Sequence, residues 1–143
     1  MTSAYETFWT HGSYAVVGHS SKKPFPKLTY QGLKERGKQV FPVDPSAQEV
    51  DGDPTFGSLA DLPGAVQAVV LEVPREETAD WVSRAADAGI EHVWIHMNRE
   101  TPEALAIARE RGLDLRYGTC AVMYLKGGFH KMHKWIMKWR GRY

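Results

Sequence analysis

Apolar residues fall in short dense blocks along this chain, and two kinds of block alternate. Tyr14-Ala-Val-Val-Gly18, Lys38-Gln-Val-Phe-Pro-Val-Asp-Pro45, Ala65 to Pro74 and His92-Val-Trp-Ile-His-Met97 are runs of branched and aromatic residues; glycine or proline closes the first three. Runs that are apolar throughout, without alternation, predict parallel strands buried on both faces. Between them the apolar spacing becomes helical. Lys27 to Arg36 carries Leu28 and Leu33 on one flank, with Gly37 placed as a stop. Glu76 to Ala88 has acids in its first turn, Ala79, Val82 and Ala86 at helical spacing, and Gly89 at its end. Thr101 can cap and Pro102 can open a further helix ending near Gly112. Shorter elements complete the series. Thr2 to Thr10 reads as an amphipathic lead-in whose Tyr5, Phe8 and Trp9 cover one side of the core. Phe56 to Pro63 reads as one helical turn with Ser58 as N-cap, and Leu113 to Tyr117 as a fifth, shorter strand.

Strands alternating with helices of this length specify an α/β fold: a doubly wound, mostly parallel five-stranded sheet with helices on both faces. Ligands of such sheets bind beyond the carboxyl ends of the strands, where strand order reverses. Here those ends are Gly18 to Lys23, Val43 to Pro45, Val73 to Arg75, and His96 to Asn98.

Composition changes this picture little, and charge changes it at one place. The 143 residues, 43% hydrophobic and 24% charged, are ordinary for one globular domain. A lone cysteine, Cys120, cannot form an internal disulfide and fits a reducing cytosol. No apolar run is long enough to span a bilayer, and no secretory leader is evident. The expectation is therefore a soluble, cytoplasmic protein. Net charge is +1, yet residues 126–143 hold six Lys or Arg and no acid. The preceding 125 residues hold twelve basic and seventeen acidic side chains, a net of −5. Residues 1–125 are thus expected as the domain and 126–143 as a basic helix or tail.

The loop after the first strand holds the candidate chemistry. In Gly18-His-Ser-Ser-Lys-Lys-Pro24, Gly18 lets backbone approach a ligand, and Ser20 and Ser21 offer hydroxyls beside backbone N–H groups. Lys22, Lys23 and the nearby Lys27 supply positive charge for phosphates. A solvated turn has the same composition; its position after a buried first strand favours a phosphate site. Sharper motifs fail. The dinucleotide fingerprint lacks its second glycine at Ser20, the P-loop pattern is absent, and the G-x-S-x-G elbow ends at Lys22 rather than glycine. Asp44, closing the second strand, stands where a dinucleotide enzyme reads a ribose hydroxyl, which keeps an NAD(P)-binding oxidoreductase or redox-sensing module open. A turn-forming aspartate before Pro45 is the simpler reading.

Taken together, Ala15-Val-Val-Gly-His-Ser-Ser21, Gly37-Lys-Gln-Val-Phe-Pro-Val-Asp-Pro45, Phe56-Gly-Ser-Leu-Ala-Asp-Leu-Pro63, Glu72-Val-Pro-Arg75 and Ala88-Gly-Ile90 resemble the small stand-alone CoA-binding proteins. Those have a Rossmann-type fold, related to the CoA-binding N-terminal domain of the succinyl-CoA synthetase α subunit. The resemblance covers residues 8 to 125. It implies coenzyme A or an acyl-CoA as ligand, with Gly18, His19, Ser20, Ser21, Lys22 and Lys23 around the phosphates. It further implies Val43, Asp44 and Pro45 beside the adenosine, and Val73, Pro74 and Arg75 as the opposite wall. His96 to Asn98, with His96 and Asn98 as its polar members, would face the pantetheine arm. Asparagine is frequent in the family where Asp44 stands, and the residues after Leu125 depart from the family ending. The synthetase subunit carries its reactive histidine in a second domain, for which this chain has no room. The expectation is a ligand-binding protein with no catalytic residues.

Remaining features are read structurally. Cys120 is a small apolar residue or a thiol near the CoA sulfhydryl. His130-x-x-His133 and His92-x-x-x-His96 lack the further ligands a metal needs. Phe129, Met132, Ile136 and Trp139 share one face of a tail helix whose other face is basic. Packing on its own domain, or on a second copy as a homo-oligomer, is favoured over an RNA contact or a membrane-surface role.

Overall fold

The computed structural model describes residues 8–64 and 66–118. The expectations for residues 2–7, Cys120 and the basic tail, and the boundary at residue 125, lie outside the described residues.

Seven strands and three α-helices follow one another. They are β1 (Ser13–Gly18), α1 (Phe25–Glu35), β2 (Gln39–Val43), β3 (Glu49–Val50), β4 (Asp53–Pro54), β5 (Ala68–Glu72), α2 (Arg75–Asp87), β6 (His92–Ile95), α3 (Pro102–Arg111) and β7 (Asp114–Arg116). Five strands form one sheet in the order β2-β1-β5-β6-β7. Every pairing in it is parallel, with Ser13 opposite Gln39, Tyr14 opposite Ala68, Ala68 opposite His92, and His92 opposite Asp114. This is the Rossmann-like sheet the apolar blocks predicted.

Strand alternation divides the core between two faces. Ala15, Val17, Val69, Leu71, Val93 and Ile95 pack with Trp81, Val82 and Ala85 of α2 and Ala104 and Ala108 of α3. Tyr14, Val16, Ala68, Val70 and Trp94 pack on the other face with Leu33 of α1 and with Phe8 and Trp9. Phe8 and Trp9 belong to a short 3-10 turn, Phe8–Thr10, and are almost fully buried. Each helix end has a local cause. Thr101 accepts the Ala104 N–H through its hydroxyl, Pro102 opens α3, and Gly112 closes it in the left-handed conformation.

Differences from the sequence reading are local. α1 begins two residues early, because Pro26 suits a first helical turn where no N–H is needed. The helical turn near residue 60 is a 3-10 turn, Leu59–Asp61, and the Ser58 side chain makes no capping bond. The antiparallel pair β3–β4 is an addition. Asp51 and Gly52 form its turn with positive φ at both residues.

Candidate functional site

From β1 the chain crosses to β2 on one side and returns to β5 on the other, so the switch in strand order falls between β1 and β5. Gly18 and Glu72, the last residues of those strands, are register partners. A Cβ on Gly18 would collide with the Pro26 ring and lie 3.0 Å from the Glu72 carbonyl oxygen. The bare glycine therefore lets α1 lie directly over the end of β1. The space beside its Cα is occupied by this protein's own proline.

The loop His19–Pro24 is held from both sides. The His19 carbonyl accepts the Lys22 and Lys23 N–H groups at 2.9 and 3.1 Å. Asp44, buried at the end of β2, accepts the Ser20 N–H on Oδ2 at 2.8 Å. Its Oδ1 accepts the Ser46 N–H at 2.9 Å and the Ser46 hydroxyl at 2.6 Å. The Ser46 Oγ in turn takes the Ser21 N–H at 3.4 Å. The backbone N–H groups of residues 20–23 are thus bonded within the protein. Side-chain chemistry remains for an anion: the hydroxyls of Ser20 and Ser21 and the ammonium groups of Lys22 and Lys27. These line an open depression of about 480 Å³ bounded by Ser20, Ser21, Lys22, Lys23, Lys27 and Gln31.

The other expected residues ring the same end of the sheet. Val43 and Val73 are fully buried in the core under α2 and α3, so their side chains serve packing. Pro45 is exposed just beyond Asp44. Pro74 is the N-cap of α2 and Arg75 its exposed first residue. His19, 8% exposed, turns its ring inward across the cleft, 2.9 and 3.1 Å from the two carboxylate oxygens of Glu77 in the first turn of α2. It ties the loop to the opposite wall.

His96 and Asn98 follow β6. His96 donates its backbone N–H to the Leu71 carbonyl at 2.9 Å, which sets it beside Glu72. His96 is 2% exposed, and its ring lies against that of Phe25 of α1, with centroids 4.5 Å apart and the planes tilted by 38°. Asn98 adopts a left-handed conformation (φ 65°) that turns the chain away. Behind it lies Arg99, 5% exposed, its guanidinium 3.3 Å from the Asn98 carbonyl.

Sequence reasoning passed over the chemistry of Glu72. Its carboxyl group is completely buried, accepts the Thr29 hydroxyl at 2.7 Å on Oε2, and lies 3.6 Å from His96 Nδ1 through the same oxygen. Burial pushes this carboxyl above the ordinary carboxylate range, opposed by His96 and Thr29. A glutamate ending an otherwise apolar strand was the only signal available.

A second network lies beside the lysines. The Tyr30 hydroxyl and Lys34 both donate to Asp53, Lys34 at 2.7 Å, and Gln31 donates to Asp51. These bonds fasten the β3–β4 hairpin to α1. Lys34 and Tyr30 hold the Asp53 carboxyl below the ordinary range. A cavity of about 320 Å³ at the far end of α2 is lined by Ser58, Leu59, Ala60, Arg84, Asp87 and Ala88. Its charges are already paired, Arg84 with Asp80 and Asp87 with Arg111. Among the described residues, no three His, Cys, Asp or Glu groups come together as a metal site. No described helix is long and apolar enough to cross a membrane.

Residues 12–126 match the family described as the CoA binding domain. The chain belongs to that family. A curated relative is the α subunit of the ADP-forming acetate–CoA ligase II of Pyrococcus furiosus, 26% identical over 125 residues. The match takes in 79% of this chain but 27% of the subunit, so this family member spans about a quarter of that relative. Among solved structures, a hypothetical protein from Pyrococcus horikoshii is 29% identical with a TM-score of 0.73, covering 85% of this chain and 89% of that one. The dinucleotide-forming acetyl-coenzyme A synthetase 1 of Ca. Korarchaeum cryptofilum shares the fold. Its TM-score is 0.60 at 22% identity, over 73% of this chain and 25% of that one. The resemblance to CoA-binding proteins is thereby shown as family membership.

Proposed function

We propose that this CoA-binding-domain chain binds coenzyme A or an acyl-CoA as a ligand-binding protein, without catalysing a reaction of its own. The observation that carries the reading is the depression between the loop that follows β1 and the first turns of α1, edged by Lys22, Lys23 and Lys27 with the hydroxyls of Ser20 and Ser21. Coenzyme A has a pyrophosphate and a separate ribose phosphate, so it presents more anionic groups to such lysines than NAD does. The pairing of Asp44 points the same way. Both its oxygens are engaged, Oδ2 by the Ser20 N–H of the loop and Oδ1 by Ser46, an arrangement that stabilises backbone rather than reading a ribose. Pro45 and the backbone of Val43 and Asp44 would border the adenosine. Pro74 and Arg75 would form the opposite wall, with His96 and Asn98 beside the pantetheine arm.

Calorimetric titration with CoA, dephospho-CoA, NAD and NADP tests this. CoA is expected to bind most tightly, with dephospho-CoA weaker by the loss of one phosphate. Tight NAD binding with no response to CoA would overturn the reading. Turnover of an acyl-CoA by the purified chain would overturn its non-catalytic part.

A further inference from the structure

We propose that Glu72 is a positioning residue for His96, holding the ring with Nδ1 turned toward the carboxyl group so that Nε2 is presented to the thiol or acyl end of the bound ligand. This rests on the CoA reading above and extends it to the part of the ligand that distinguishes free CoA from its thioesters.

The geometry begins with place. Glu72 ends the strand bordering the switch point, on the face covered by α1, and His96 follows the neighbouring strand on that same face. Thr29 anchors the carboxyl group through Oε2. Phe25 fixes the plane of the imidazole. His96 Nδ1 is buried and has no hydrogen-bond partner among the described residues; it stands 3.6 Å from Oε2. A small rotation closes that gap, and a buried ring nitrogen left unbonded is costly enough to favour closure. Imidazole nitrogens lie on opposite sides of the ring, so turning Nδ1 inward turns Nε2 away from Glu72.

The protonation state decides what Nε2 offers. Burial favours the neutral form of Glu72. When Glu72 carries its proton, the O–H donates to Nδ1 and the imidazole proton sits on Nε2. Nε2–H is then a donor, suited to a thioester carbonyl oxygen or a sulfur lone pair. Glutamine at position 72 can donate an N–H in place of the O–H; leucine fills similar space and donates nothing.

The test compares acetyl-CoA with adenosine 3′,5′-bisphosphate, which keeps the nucleotide phosphates and lacks the pantetheine arm. Glu72→Leu and His96→Gln are each expected to weaken acetyl-CoA binding about tenfold, the loss of one well-placed hydrogen bond, and to leave the bisphosphate unchanged. Glu72→Gln is expected to retain wild-type affinity for both. Equal losses for the two ligands in Glu72→Leu would overturn the inference, because a merely structural role acts on the whole site. Loss in Glu72→Gln equal to that in Glu72→Leu would overturn it as well. Should Glu72→Leu not fold, His96→Gln and the ring ¹⁵N shifts of the wild-type protein decide: an Nε2–H tautomer supports the pair, and an Nδ1–H tautomer overturns it. Wild-type protein that binds neither ligand would instead overturn the CoA reading, and with it the ligand contact proposed for Nε2.

Discussion

The two ends of one sheet have been built to opposite specifications. Around the amino end of β1, and reaching Trp94 within β6, rings pack on rings. Trp94 lies 4.7 Å from Trp9 and 5.3 Å from Phe8, and Trp9 stacks on Tyr14 at 5.9 Å. A polar tip inside, the Tyr14 hydroxyl, donates to the Phe8 carbonyl at 2.7 Å and accepts the His11 N–H at 3.1 Å. Burial lifts its pKa to about 12, so it stays a neutral donor. At the carboxyl ends β1 finishes in Gly18, β5 in the buried Glu72, and β6 runs on into the buried His96, with Asp44 buried just after β2. Aromatic burial yields stability wherever it is placed. Burying ionisable groups lowers it unless partners compensate. A sheet that concentrates the first at one end can carry the second at the other, which is where a ligand needs them.

The contrast can be broken from either side. Trp94→Ala strikes the aromatic end and is expected to cost about 3–5 kcal/mol of stability, read by urea denaturation. A loss below about 1 kcal/mol would mean that end is not a packed core. Lys22→Ala strikes the other end and should do the reverse. Ligand affinity is expected to fall by about 1.5–3 kcal/mol in titration, the usual worth of a charge-assisted bond. Stability should move by no more than about 0.5 kcal/mol, as for other surface changes. Gly18→Ala crosses the two categories. The added methyl collides with the Pro26 ring and should destabilise by about 1–3 kcal/mol, while shifting α1 and weakening ligand binding.

Acidity separates the ends more gently, with opposite signs. Glu72 has a raised pKa, so its contribution to stability is full below the unfolded value of 4.5 and is lost as pH rises through the folded one. His11 has a lowered pKa, from burial and from His92, whose ring lies 4.2 Å away. Its contribution is full above the unfolded value of 6.5 and is lost as pH falls through the folded one. Denaturation midpoints across pH 4 to 8 should therefore lose their alkaline decline in Glu72→Gln and part of their acid decline in His11→Phe. The same slopes in both variants and the wild type would remove the electrostatic side of the contrast.

Much of the architecture was readable before any coordinates, and particular residues show why. Val69, Val70 and Leu71 face both sides of a covered sheet, and a run of that kind has few other places to go. The β3–β4 pair escaped notice despite its Asp-Gly turn, because two residues on each side carry no period to detect. The loop sequence pointed to a place for phosphates, while the Ser20 and Ser21 N–H groups and the His19 ring proved to be engaged by residues far along the chain. Asp44 lies 24 positions after Ser20, and Glu77 lies 58 after His19. Glu72 shows the same limit. A strand-final glutamate reads as a solvent rim, and only the placement of α1, with Thr29 and Phe25, encloses it and its neighbour His96.

The clamp that Asp44 places on the loop bears on the kinetics of encounter. A loop whose backbone is already bonded at Ser20, Ser21, Lys22 and Lys23 has lost its conformational freedom during folding, before any ligand arrives. Association then needs no ordering step, and its rate follows diffusion and the pull of the lysines. Differences among ligands that share the nucleotide should appear as residence times, short for those that meet the loop alone and longer for those that also reach His96.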